Sequence, residues 1–207
     1  MIDENNVFIN CPFDNVYFPL LKPLLFTIIY IDLIPQISET TDSGQTRISH
    51  IFDLMSISKY SIHDLSRVVK IKRNDYPRFN MPFECGIDFG LKMSNTEEFG
   101  EKRFLILDKE PYRYKSIISD ISGNDIKAHK EDPEEIIKAV RDWFKVILND
   151  VPWYKTIWLA YAEFETDFER ILIDNDYDPK DINSLTFSDI IENMTAWTIG
   201  YKAKRNN

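Results

Sequence analysis

The stretch RFNMPFECGIDFG, residues 78–90, places the carboxylate of Glu84 inside an apolar run at the start of an expected helix. The small residues Cys85, Gly86 and Gly90 follow it at helical spacing. A glutamate at a helix N-terminus often does no more than complement the helix dipole, for about 0.3–1 kcal/mol. A carboxylate aimed into a pocket can instead attack a carbon or stabilise a developing cation. On this stretch alone both interpretations stay open.

Short apolar runs alternate with longer helical patterns along residues 1–149. Strands are predicted at 6–10, 34–39, 59–66, 102–109 and 125–130, and helices at 16–30, 42–58, 81–94 and 132–148. This alternation indicates βαβ units, and hence a parallel sheet with helices on both faces. The sequence therefore predicts an α/β fold of flavodoxin type, with three layers and about five parallel strands.

Beyond residue 149 the alternation stops, and the segment 150–207 predicts further helices rich in Trp and Tyr. We therefore expect an α/β domain over 1–149 and a helical extension over 150–207. Aromatic side chains on the extension suit packing against the α/β domain or against a partner subunit. Both alternatives are compatible with the sequence.

Ligands of parallel α/β sheets bind outside the carboxyl ends of the strands, where polar residues recur in this sequence. The candidates for substrate binding are Asn10, Pro12, Phe13 and Asp14 after strand one, Asp42, Ser43 and Arg47 after strand two, Ser66 and Arg67 after strand three, and Asn80 before Glu84. Ordinary structural roles compete with this interpretation. Asp42 and Ser43 suit the cap of the helix after them, and Asp64 and Ser66 suit a turn. Cys11 and His63 are expected to be buried packing residues.

A carboxylate at a helix start, facing a second carboxylate from a strand end, suits cleavage of an N-glycosidic bond. The reaction passes through an oxocarbenium-like state, which a negative group below the anomeric carbon stabilises. Glu84 and Asp64 are the predicted catalytic pair. The other polar candidates would hold ribose and phosphates, and Phe13, Tyr17 or Phe83 would stack on a base.

The composition excludes several other classes of site. A net charge of −9 and a pI near 4.9 argue against a nucleic-acid partner, because that affinity rests on Lys and Arg. The 2 cysteines form no CxxC pair and the 3 histidines have no ligand spacing, so neither a metal site nor a disulfide framework is expected. The sequence contains neither a Walker motif nor a GxGxxG motif, so no resident cofactor is predicted. An acidic N-terminus and interrupted apolar runs predict a cytoplasmic protein without a membrane span.

The segments VFINCPFDNVYFPLLKPLLF, KYSIHDLSR and NMPFECGIDFGLK together resemble the group of TIR-like and nucleoside 2-deoxyribosyltransferase-like α/β proteins. Pro12-Phe13 is similar to the strand-one turn of the deoxyribosyltransferases, and Asp64 to their strand-end aspartate. Glu84-Cys85-Gly86 is similar to the E-x-G segment that carries their catalytic glutamate. Ser66 and Glu84 match the serine loop and the catalytic glutamate of NAD⁺-cleaving TIR domains. The resemblance covers about residues 6–148.

The resemblance implies an NAD⁺ hydrolase or cyclase, with NAD⁺ as the substrate and no resident cofactor. It further implies an effector or signal-producing protein of bacterial anti-phage defence, acting as a homo-oligomer or with a partner defence protein. A rival interpretation is a non-catalytic TIR-like module that senses a nucleotide signal or binds a protein. There the basic stretch KIKRNDYPR would contact phosphates. A third is deoxyribosyl transfer between nucleosides.

Overall fold

The computed structural model describes residues 2–39, 43–69, 76–94, 96–121, 123–174, 176 and 185–205. Its strands are β1 (Asp3–Asn10), β2 (Ile34–Ile37), β3 (Ser58–Asp64), β4 (Arg103–Asp108) and β5 (Lys127–Ala128). Its α-helices are α1 (Phe18–Tyr30), α2 (Arg47–Ile57), α3 (Asn80–Met93), α4 (Pro133–Ile147), α5 (Tyr154–Asp174) and α6 (Phe187–Arg205). Short 3₁₀ turns at Arg113–Ser116 and Ser119–Ile121 join β4 to β5.

All strand pairs are parallel, in the order β2-β1-β3-β4-β5. In the register at the sheet centre, Ile9 lies opposite both Ile37 and Ile62. β1 and β3 are covered on both faces, which is why their sequences run apolar without alternation. The predicted five-stranded α/β fold with C-terminal helices is confirmed.

The helix starts follow local capping chemistry. At α4 the predicted cap is confirmed, since Asp132 Oδ1 accepts hydrogen bonds from the backbone N–H groups of Glu134 (2.7 Å) and Glu135 (3.2 Å). At α2 the predicted start at residue 42 is wrong. The helix begins at Arg47, and the N-cap is Thr46, whose hydroxyl accepts from the Ser49 N–H at 3.3 Å. A threonine directly before the first periodic residues displaces the earlier Asp and Ser as the cap.

The C-terminal helices pack on α1 and α4, on the face of the sheet opposite α2 and α3. Phe26 of α1 contacts the rings of Tyr161 and Trp197, with centroids 5.4 and 5.9 Å away. Glu39, which follows β2, caps α6 by accepting from the N–H groups of Phe187 and Ser188, both at 3.1 Å. The extension is therefore fixed to the α/β unit of its own chain, close to the carboxyl end of β2.

Across the described parts of the chain, the model contains no helix with the length and apolar character that a membrane crossing requires.

Candidate active site

A cleft of about 240 Å³ opens at the carboxyl end of β1, between the N-terminal ends of α2 and α3. Its lining residues are Cys11, Pro12, Phe13, Arg47, Arg78, Asn80 and Met81. Sites for drug-sized ligands usually span roughly 300–1,000 Å³. The cleft therefore matches one part of a nucleotide, such as a ribose with its attached ring.

Glu84 lies on the inward face of α3, one turn after Asn80, and is only 5 % exposed. Burial raises the pKa of its carboxyl group, because the charged form loses hydration. The Arg47 charge and the Asn80 side chain act in the opposite direction without cancelling the effect of burial. Since Arg47 and Asn80 both line the cleft, Glu84 is a carboxylate of raised pKa at the cleft edge.

A chain of buried polar groups runs beneath the cleft and across the sheet. Asn10 Nδ2 donates to the Met81 carbonyl at 2.9 Å and to His63 Nδ1 at 3.0 Å. Because Nδ1 accepts, the ring proton is on Nε2, which donates to Asp88 Oδ2 at 3.0 Å. The ammonium of Lys102 lies 3.1 Å from the other oxygen, Asp88 Oδ1. This chain connects the cleft floor, at the carboxyl end of β1, to the amino ends of β3 and β4.

Lys102 is fully buried and joins elements that carry site residues. Its ammonium donates to the carbonyl oxygens of Met55 and Ser58, both at 2.7 Å, at the C-terminal end of α2. Through Asp88 it also contacts α3. One buried cation thus fixes both helices whose N-terminal parts supply Arg47 and Glu84.

Asp64 is fully buried, and both of its oxygens are occupied. Oδ1 accepts from the Ser66 N–H at 2.8 Å, and Oδ2 accepts from the Tyr17 hydroxyl at 2.6 Å. His129 Nε2 lies 3.1 Å from Oδ2, and its Nδ1 accepts from the Glu131 N–H at 3.0 Å. Burial acts to raise the pKa of Asp64, but these contacts outweigh it and hold the pKa below its usual value. Asp64 therefore ties loops together and does not present a free oxygen to a substrate.

Asp14 and Arg67 form a second supporting group beside the cleft. Asp14 Oδ1 accepts from the Tyr17 N–H at 2.9 Å, which secures the start of α1. Arg67 Nη2 lies 3.4 Å from the same oxygen, and Arg78 Nη2 lies 3.8 Å from Oδ2. Arg78, with its side chain 56 % exposed, links this group to the cleft that it lines.

The structure brings together some of the residues that were predicted to be catalytic or to bind substrate. Those that line or adjoin the cleft are Asn10, Pro12, Phe13, Arg47, Asn80 and Glu84. Those that lie in the supporting groups are Asp14, Asp64, Ser66 and Arg67. Ser43 lies in an exposed turn, and Asp42 lies outside the described residues.

The three aromatic residues predicted to stack on a base differ in where the structure places them. Phe13 lines the cleft, and its ring also contacts Phe187 of α6 at 5.3 Å. Tyr17 is 1 % exposed and has no face available for a base. Phe83 is 63 % exposed on the outward side of α3, away from Glu84. Phe13 alone of these three remains placed to stack on a ligand.

Sequence reasoning missed the contributions of Asp88, Lys102 and His129. Asp88 follows Glu84 by four residues on a helix whose other residues up to Leu91 are uncharged, so both carboxylates share the inward face. That spacing is a signal from which the buried pair could have been found. Lys102 and His129 carry no comparable local pattern, because their partners are distant in sequence.

The side chains at the cleft suit an organic anion. Arg47 and Arg78 can pair with phosphate oxygens, and Asn80 with a hydroxyl group. These side chains can therefore supply charge stabilisation and positioning. Among the residues that the model describes, no group of three or more His, Cys, Asp and Glu side chains could hold a metal ion.

The buried aspartates make the fold sensitive to acid. In the folded protein the pKa values of Asp64 and Asp88 are below their usual value, in spite of the opposing effect of burial. Their contribution to stability is complete above the unfolded pKa of about 3.9 and is lost as the pH falls through the folded values. We expect the urea midpoint to drop between pH 5 and pH 3, by less in Asp88→Asn than in the wild type. Equal drops in both proteins would contradict this role of Asp88.

Comparison of the chain with protein-family models, with curated proteins and with solved structures found no match. The assignment to a parallel five-stranded α/β fold therefore rests on the strand order of the chain itself. Likewise, a functional assignment depends on the geometry around Glu84.

Proposed function

We propose that this protein is a nucleotide N-glycosidase that cleaves NAD⁺ at the cleft beside Glu84, as a hydrolase or a cyclase. The observation that carries the proposal is the nearly buried carboxylate of Glu84, which lies next to Arg47 and Asn80 of the cleft. Burial also raises the pKa of this carboxylate. The location of the cleft at the carboxyl ends of parallel strands also supports it.

In this reaction the bond between ribose C1′ and the nicotinamide nitrogen breaks. The bonding electrons go to nicotinamide, which leaves as a neutral molecule and needs no proton from the enzyme. Glu84 stabilises the ribosyl cation or bonds to C1′. Water or a ring nitrogen of the substrate then bonds to C1′ and displaces the carboxylate where it has bonded, and attack by water releases one proton to the solvent. A single available carboxylate is sufficient for this chemistry.

The position of Asp64 supports the choice of NAD⁺ within this proposal. Bases of ordinary nucleosides leave more readily when an acid protonates them, which calls for a second group at the cleft. Both oxygens of Asp64 are already occupied. This favours NAD⁺, whose leaving group carries its own positive charge, over deoxyribosyl transfer between nucleosides.

The remaining roles complete the proposal. Arg47 and Arg78 would bind the diphosphate, Asn80 a ribose hydroxyl, and Phe13 the nicotinamide ring. Membership of the TIR-like group and a role as an effector of anti-phage defence rest on the resemblance of the segments around Pro12, Asp64 and Glu84.

The second candidate is a nucleotide sensor without catalysis. It is favoured by the two arginines at the cleft and by the sequestration of Asp64, which together suit binding of a phosphorylated ligand better than a two-carboxylate reaction. In such a module Glu84 would accept a hydrogen bond from a ribose hydroxyl.

Incubation of the purified protein with NAD⁺, followed by chromatography of the products, tests the proposal. The expected result is nicotinamide together with ADP-ribose or its cyclic form. Calorimetry with NAD⁺ on the same preparation separates the candidates. Saturable binding without any nicotinamide would contradict the enzyme and favour the sensor, and absence of both would contradict the site.

A further inference from the structure

The helix that carries Glu84 has an outward face of unusual composition for a surface helix. Within the described range 76–94, the only charged side chains from Phe79 to Leu91 are Glu84 and Asp88, and both are buried. On surface helices charged residues normally occupy the solvent side. Here Phe79 and Phe83 are exposed instead, to 69 % and 63 %.

Two glycines share that outward face with the two phenylalanines. Phe79, Phe83, Gly86 and Gly90 fall within about 60° of one another around the helix axis, at 3.6 residues per turn. We call these four residues the Phe–Gly stripe. Half-exposed Ile48 and Phe52 lie on α2, which packs beside α3 on the same side of the sheet.

Neither close contacts nor backbone conformation within the single chain require glycine at positions 86 and 90. A Cβ atom added at Gly86 or Gly90 meets no atom within 4 Å, and neither glycine has a positive φ. Glycine in a helix interior is less favourable than every residue except proline. A second helix packed on the stripe would explain both glycines, since small residues allow two helix backbones to approach closely.

The stripe is complementary to itself. Phe79 and Gly90 lie at equal distances on either side of the midpoint between Glu84 and Cys85, and so do Phe83 and Gly86. Two antiparallel copies of α3 related by a two-fold axis at that midpoint would place each phenylalanine of one copy over a glycine of the other. Isologous contacts of this kind require such a self-matching surface.

We propose that the Phe–Gly stripe of α3 is the interface of an antiparallel homodimer, in which Phe79 and Phe83 of each copy pack over Gly90 and Gly86 of the other. The occupant is a second copy of this chain because the pattern matches its own reverse. The proposal does not depend on chemistry at Glu84. Nicotinamide release and dimerisation are measured separately, so failure of one leaves the other intact.

Sedimentation velocity at micromolar protein tests the proposal. The wild type is expected at twice the chain mass of 24.5 kDa. Phe83→Asp is expected to weaken dimerisation at least about 100-fold, by placing a charge at the centre of the contact. Gly86→Leu is expected to weaken it as well. At dilutions where both proteins are monomeric it should melt no lower than the wild type, because a Cβ atom at this position meets open space in the single chain. Val146→Asp on α4, a matched change at a site that is 86 % exposed, is expected to remain dimeric.

Cross-linking tests the register. Disulfides need Cα atoms within about 7 Å. In the proposed dimer Phe79→Cys of one copy faces Gly90→Cys of the other, whereas two identical sites are about 16 Å apart along the axis. Oxidation of the two mixed variants should give a covalent dimer, and oxidation of either alone should not. A monomeric wild type, a dimer insensitive to Phe83→Asp and Gly86→Leu, or cross-links within one variant would overturn the proposal.

Discussion

Glu84→Gln is expected to lower the rate of nicotinamide release from NAD⁺ by at least about 10³-fold, equivalent to about 4 kcal/mol of transition-state stabilisation. The amide keeps the size and the hydrogen-bonding capacity of the side chain but removes the negative charge that, in the proposed reaction, stabilises the ribosyl cation. The loss should appear in kcat, because the charge acts mainly on the cation and less on the bound substrate. Steady-state kinetics measure it directly.

The same substitution should leave the protein folded and more stable at pH 7. Burial raises the pKa of Glu84, so folding favours its protonated form and the ionised form is a cost at neutral pH. By linkage, that cost is absent below the unfolded pKa of about 4.3 and develops as the pH rises through the folded value. The melting temperature of Glu84→Gln should therefore exceed that of the wild type at pH 7 and converge with it at pH 4. Glu4→Gln, at an 80 % exposed side chain, is the control and should alter neither activity nor melting.

Lys102→Met is expected to destabilise the fold by about 3–5 kcal/mol, the usual effect of leaving one partner of a buried ion pair alone. The ammonium neutralises Asp88 and donates to the carbonyl oxygens of Met55 and Ser58. Methionine fills a similar volume but leaves all three groups without this partner. Equilibrium unfolding in urea gives the change in the free energy of unfolding.

The control for this prediction is Lys202→Met. Lys202 pairs with Asp32 at 2.8 Å, but the Asp32 side chain is 84 % exposed, so the pair contributes only about 0–1 kcal/mol. Addition of Asp88→Asn to Lys102→Met should recover part of the lost stability, because the unpaired buried charge is removed. Two results would show that the buried pair does not stabilise the fold. One is a decrease in the free energy of unfolding below about 1 kcal/mol in Lys102→Met, and the other is no recovery of stability in the double variant.

Local patterns were sufficient for the fold of this chain. The apolar runs around Ile9, Ile62 and Leu105 predict buried parallel strands, and the Asp132-Pro133 start of α4 is a complete capping signal. Both kinds of signal depend on residues that are neighbours in sequence. Connection rules for parallel sheets then restrict the possible strand orders, and the structure has the order β2-β1-β3-β4-β5.

The site was predictable only in part, because burial and pairing depend on distant residues. Helical periodicity turns Glu84 inward, and the strand ends locate Asn10 and Pro12 near it. Asp64 is sequestered by Tyr17 and His129, which are separated from it by 47 and 65 positions in the sequence. The local stretch HDLSR contains no pattern that predicts these two contacts. Likewise, burial and the neighbouring carboxylates raise the pKa of the Cys11 thiol well above its usual value. The thiol therefore stays protonated and is a poor nucleophile.

The central claim is that Glu84 makes the cleft a catalytic site for NAD⁺. The most direct test is the release of nicotinamide by wild-type protein and by Glu84→Gln, measured side by side at equal concentration, with NAD⁺ binding followed on both. We predict release by the wild type, at least about 10³-fold less by the variant, and retained binding by both. Equal release by the two proteins, or binding without release by the wild type, would contradict the claim.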